Sequence, residues 1–180
     1  MNRRNDPGTD IVASILFKEA SMSPQIQGLV NWWNNEHTTT IRVIGAVPED
    51  QTAFRHHDKS MTAIELAWHI ASSEAGVVNY ILTGEFGFDS LPKSPATFQD
   101  VIKWKEESHE KVVNQIEEVG EAHLIEAVEF FGQEMPRLGI LNFLLAHEIH
   151  HRGQLSVYVR GAGGLVPSIY GGSADEPMKS

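Results

Sequence analysis

Cysteine is absent from all 180 residues. That excludes disulfides, thiolate metal ligands and a cysteine nucleophile, so any thiol used in catalysis must arrive as a separate molecule. Basic residues are scarce as well. The 14 Lys+Arg stand against 24 Asp+Glu, a formal charge of −10, and no basic cluster exceeds Arg3-Arg4. An acidic surface repels phosphate backbones, which argues against a nucleic-acid partner. Long hydrophobic runs are missing too. The longest apolar stretch, Leu138 to Ala146, falls far short of the ~20 residues that span a bilayer. Near the N-terminus, the short run Ile11 to Phe17 is followed by Lys18-Glu19 and no small-residue cleavage site. No secretory signal is expected. These absences predict a soluble, cytoplasmic chain with no membrane partner.

What is present suits one globular domain. The chain is long enough to bury a sizeable core, and 41% hydrophobic against 21% charged residues is an ordinary balance for that. Residues 1–22 read as an N-terminal arm with a helical turn at Ile11, Val12, Ile15 and Leu16. Ser23-Pro24 opens a first helix over 24–46, since Ser can cap and Pro at the first helical position forfeits no needed donor. His37 falls on its inward face and is a candidate pocket residue. Polar residues 48–60 form a connection in which His56-His57 reads as solvated loop. Thr62 and Glu65 have capping-box spacing and start a second helix over 62–82, with His69 among apolar and small neighbours. Residues 83–96 carry Gly84, Gly87, Pro92 and Pro95, so they form a long crossover. A third helix is expected over 97–119, with Gly120 as its stop and its charged residues, Lys105 among them, as a solvated face. Residues 121–133 fit either a short helix or an extended segment at Val128 to Phe131. Pro136 opens a fourth helix over 136–161, ended by Gly161, Gly163 and Gly164, with 166–180 as a tail. Four amphipathic segments and little strand signal predict an all-α four-helix bundle over 23–165.

The chemistry concentrates in the fourth helix, at His147-Glu148-Ile149-His150-His151-Arg152-Gly153-Gln154. His147 and His151 are four residues apart, so both imidazoles project from one face. That face is the apolar stripe, and a divalent metal is a shared reason for two imidazoles to lie on it. With His69 they make three inward histidines. Three His ligands with an open fourth position match a catalytic zinc site. His37, Tyr80, Gln154 and Tyr158 are the candidate polar groups for orienting a substrate, in a pocket expected between the first, second and fourth helices.

His69 within Glu65-Leu66-Ala67-Trp68-His69-Ile70, together with His147-x-x-x-His151-Arg152-Gly153-Gln154, resembles the DinB-like (damage-inducible) superfamily over roughly residues 23–165. The final-helix motif is the specific part. The resemblance implies an up-down-down-up bundle and a divalent metal, zinc or nickel, on His69, His147 and His151. It also implies kinship with bacillithiol S-transferases and a mycothiol-dependent isomerase, hence a small-molecule substrate and a low-molecular-weight thiol. Several such relatives are homodimers.

Other classes compete. His147-Glu148-Ile149-His150-His151 matches H-E-x-x-H, the zinc-protease helix motif with Glu148 as general base. The extended form of that motif requires Gly and His where this chain has Gln154 and Val157. Glu148 is therefore expected either to hydrogen-bond a metal ligand from behind or to lie at the surface. A metal-dependent hydrolase and a non-catalytic metal- or ligand-binding stress protein remain as alternatives.

Overall fold

The computed structural model describes residues 22–178. The arm expected over 1–22, with its turn at Ile11 to Leu16, lies outside the described residues but for Met22. Four helices carry the fold: α1 (Pro24–Gly45), α2 (Ala63–Thr83), α3 (Phe98–Leu124) and α4 (Arg137–Gly161). A hairpin, β1 (Ala127–Phe130) with β2 (Gln133–Pro136), is inserted before α4. No helix among the described residues is long and apolar enough to cross a membrane.

The starts are set by local chemistry. Thr62 accepts from the Glu65 backbone N–H while Glu65 accepts from that of Thr62, which closes the capping box of α2. Thr97 caps α3 by accepting from the Asp100 backbone N–H at 3.1 Å. Ser23 occupies the cap position of α1 but makes no side-chain cap bond, so Pro24 alone marks that start. α2 stops at Gly84, whose φ of 84° suits only a residue without a Cβ.

One expectation needs correction, and one open alternative is decided. Gly120 breaks α3 without ending it: with φ 76° and ψ 168° it kinks the chain, and helical structure resumes to Leu124. Beyond it, the ambiguous stretch divides into that last turn and the hairpin. Phe131 (φ 49°) and Gly132 (φ 78°) link Phe130 to its partner Gln133. Two positive φ angles in a two-residue loop match the strand twist, which is why so short a hairpin forms here.

Contacts along the helices fix the topology. α1 runs against α3 in opposite directions, with Ser23 bonded to Glu121 and Asn34 beside His109. α2 and α3 run together, since Trp68 meets Trp104 and Ile81 meets His123. α4 runs with α1, through Glu36 and Arg152, and against α2, whose Ile81 carbonyl accepts from Arg137 at the start of α4. The bundle is therefore up-down-down-up, with α1 diagonal to α2. Two apolar clusters fill its ends, one around Trp33, Ile116 and Leu144 and the other around Ile44, Phe98 and Leu155. Burying each such side chain contributes about 1.5–3 kcal/mol. The tail packs back: Val166 and Ile169 cover the second cluster, Arg42 holds Glu176 and Arg160 holds Asp175.

Between the apolar clusters lies a buried ionic layer. Lys105, on α3, is 0% exposed and pairs with Glu74 of α2 at 3.3 Å and Glu148 of α4 at 3.4 Å. The expectation of a solvated Lys105 was therefore wrong. At a step of four from both Val101 and His109, it faces inward, and two carboxylates from other helices keep it charged there. A second buried pair, Arg152 with Glu36 at 2.5 Å, receives Tyr170 from the tail.

Candidate metal centre

α2 and α4 cross at the level of this ionic layer, and the crossing brings His69, His147 and His151 together. His69 Nε2 lies 3.1 Å from His147 Nε2 and 3.2 Å from His151 Nε2. One imidazole nitrogen holds one proton or one lone pair, so two such approaches call for a shared partner. Two nitrogens each about 2.0–2.1 Å from a tetrahedral ion stand roughly 3.3 Å apart, so this spacing fits a divalent metal. All three side chains are half-buried. Burial holds each imidazole below its usual pKa, with the neighbouring imidazoles adding to the shift in His147 (about 4) and His69. Neutral rings with free lone pairs are the form a metal needs.

Gln154 supports the set. His151 Nδ1–H donates to Gln154 Oε1 at 2.8 Å, which leaves the lone pair on Nε2, and Gln154 Nε2 donates in turn to His150 at 2.9 Å. Gln154→Ala is expected to weaken metal binding about 10–100-fold, as loss of such a partner typically does. Competition with a chromogenic chelator measures this, and unchanged affinity would show the amide to be idle.

The profile of the DinB family matches residues 22–178. The chain belongs to that family. Among its relatives, the uncharacterized Bacillus subtilis protein YrdA is 28% identical over 150 residues, covering 82% of this chain and 89% of YrdA. YjoA of the same organism, also uncharacterized, is 29% identical over 143 residues, covering 77% and 92%. The crystal structure of a DinB-like protein from Bacillus cereus superposes with a TM-score of 0.71 at 24% identity, covering 81% of this chain and 97% of that one. That of YjoA gives 0.67 at 26%, covering 79% and 96%. These likenesses carry the helical fold and the family, and no activity.

Within this DinB-family chain, the remaining candidates separate. Tyr80 is remote from the centre: its hydroxyl donates to the Glu129 carbonyl and its ring meets Phe86 and Phe130, so it staples the hairpin to α2. Tyr158 donates to the Met61 carbonyl at 3.0 Å and lines a cavity beside Gln154. His37 is not at the centre, and α1 does not line that cavity. The diagonal placement of α1 explains both, because its inward face is spent on α3 and α4. His37 instead stacks on His109 at 3.8 Å with planes 10° apart. Glu74 joins these two to make a second cluster of metal-capable donors. Stacked rings direct their in-plane lone pairs in parallel, however, and His109 Nδ1 already donates to Glu74 at 2.7 Å. His109 and Glu74 are thus tied to each other in the core, while the buried Nδ1 of His37 has no hydrogen-bond partner.

Glu148 settles the protease question. It is 2% exposed and meets Lys105 in the core, so neither the surface contact nor the general-base role holds. Its carboxylate faces the Lys105 ammonium at 3.4 Å, inside the ionic layer.

His37 also predicts a pH response. Burial, then Lys105 and His109, push its pKa down to about 3, against a weaker opposite pull from Glu74. Below pH ~6.5 the unfolded chain takes up a proton that the folded chain refuses until pH ~3. Stability should therefore fall with pH across that window, by less than about 1.4 kcal/mol per pH unit from this group. Urea melts of His37→Phe should show a shallower acid limb than the parent. Parallel limbs would refute the assignment.

Proposed function

We propose that the protein is a divalent-metal-dependent S-transferase that joins a low-molecular-weight thiol to a small electrophile. The supporting observation is the convergence of three neutral imidazoles in a half-buried seam, in a family-matched chain that has no thiol of its own. His69, His147 and His151 would hold the ion; zinc is the first choice and nickel the second, since imidazole suits both. Bound there, it would supply Lewis acidity, lowering the pKa of a thiol so that thiolate is available near neutral pH.

The chain's own groups do the rest. Gln154 fixes the His151 tautomer. The Lys105–Glu148 pair anchors α4 one residue from His147. On the hairpin side, Phe143 stands 6.2 Å from the His147 ring, with exposed Phe131 and Phe86 beyond it. This apolar wall suits an acceptor of low polarity and thins the water around the reacting atoms. In the transfer, the thiol sulfur forms a bond to the acceptor carbon. The leaving group departs with its bonding pair, and the thiol proton passes to solvent.

The test offers metal-loaded protein a panel of low-molecular-weight thiols with an aryl halide. Conjugation above the metal-free control, abolished in His147→Ala, is expected. No turnover with any thiol would transfer the assignment to a hydrolase or to a non-catalytic metal-binding protein.

A further inference from the structure

The transferase reading leaves one cavity of the seam unused. It is an open cleft of about 440 Å³ between the α1–α2 connection and the later turns of α4, lined by His56, Lys59, Met61, Leu66, Gln154 and Tyr158 among others. None of its lining residues is an Asp or Glu, in a chain where acids outnumber bases 24 to 14. Among the described residues, Lys59 enters no ion pair. An exposed lysine on the wall of an apolar-floored cavity with no carboxylate in its lining is a place for an anion.

The wall carrying Lys59 is braced from several sides. The Tyr158 hydroxyl holds the Met61 carbonyl. His56 Nε2–H donates to the Val157 carbonyl at 3.3 Å. A Cβ on Gly161 would come within 2.5 Å of His56, so that ring rests in the notch which glycine leaves. The Lys59 backbone N–H donates to His57 Nδ1 at 3.1 Å, and Ser60 N–H to the His57 carbonyl at 2.9 Å. His56 and His57 lie in an exposed loop, as expected, but His56 is also docked on α4.

The cavity adjoins the metal centre. Gln154, which orients His151, is part of its lining, and Gln154 and Tyr158 lie about 4.5 and 10.5 Å beyond His151 along the axis of α4. A small molecule can reach both. We propose that this cavity binds the carboxylate end of the molecule whose reactive end is presented at the three-histidine centre, with Lys59 as the recognising cation. The assignment rests on reading that centre as a substrate-binding metal site. A single ammonium matches one carboxylate better than a phosphate dianion, which wants several donors.

The probes are ω-mercaptohexanoate, its primary amide, and hexanoate, titrated calorimetrically. On metal-loaded protein the acid thiol should bind about tenfold more tightly than the amide, the equivalent of about 1.4 kcal/mol. Lys59→Met should erase that preference and Lys59→Arg should keep it. On metal-free protein hexanoate should bind more weakly, again with dependence on Lys59. Equal binding of acid and amide, a preference that survives Lys59→Met, or no binding of either acid would overturn the proposal. The two readings fail separately. Lys59-dependent hexanoate binding without turnover of any thiol sinks the transferase alone, whereas thiol turnover without an acid preference sinks the cavity assignment alone.

Discussion

Replacing Lys105 by methionine is expected to cost about 3–5 kcal/mol of folding stability, the usual penalty for removing one partner of a buried ion pair. The substitution keeps the side-chain stem and strands Glu74 and Glu148 without their shared cation. Burial alone would push the Lys105 ammonium down, but Glu148 and Glu74 outweigh it and hold its pKa above the usual lysine value. Burial likewise opposes ionisation of Glu74, and Lys105 and His109 overcome it. At roughly 2–4 °C per kcal/mol for a domain of this size, the melting temperature should fall by roughly 6–20 °C. Lys105→Met/Glu148→Leu should regain much of the loss, because the carboxylate that remains, Glu74, keeps His109. Thermal and urea melts of both variants decide this. A Lys105→Met protein as stable as the parent would mean that water reaches the layer and pays the desolvation instead.

Replacing His151 by alanine should reduce metal content from about one ion per chain to a small residue after dialysis, because a tetrahedral site then keeps only two protein ligands. Elemental analysis reads this directly, with His150→Ala as the control that retains its ion. Linkage provides a second readout. An ion at a hundred times its Kd stabilises the fold by about 2.7 kcal/mol, so a chelator should lower the melting temperature of the parent and leave that of His151→Ala unchanged. Equal metal in both proteins would remove His151 from the ligand set.

Much of this molecule was legible in its sequence, and the exceptions share a cause. Helix bounds came out within a residue or two where a cap or a positive-φ glycine marked them, as at Thr62, Thr97 and Gly84. The end of α3 did not, because a glycine can kink a helix as well as stop it, and tertiary contacts choose between the two. The hairpin left a faint signal. Val128 and Phe130 alternate with Glu129, and Phe131-Gly132 can turn, but four-residue strands are too short for periodicity to separate from loop. Lys105 sat on the inward face of its own helix by spacing. Its partners are 31 and 43 positions away (Lys105 minus Glu74, Glu148 minus Lys105), and nothing local announces them.

By itself the sequence determined whatever one helix can determine. His147 and His151 share a face because four residues make nearly one turn. Lack of cysteine likewise required any thiol to come from outside. Only the tertiary structure decided which other groups those faces meet. The antiparallel crossing of α2 and α4 brings His69 to the pair, and the diagonal position of α1 keeps His37 away. The docked connection puts Lys59 and Gln154 on the lining of one cleft. Helical period is a property of neighbouring residues, whereas these meetings depend on how four apolar stripes close around one core.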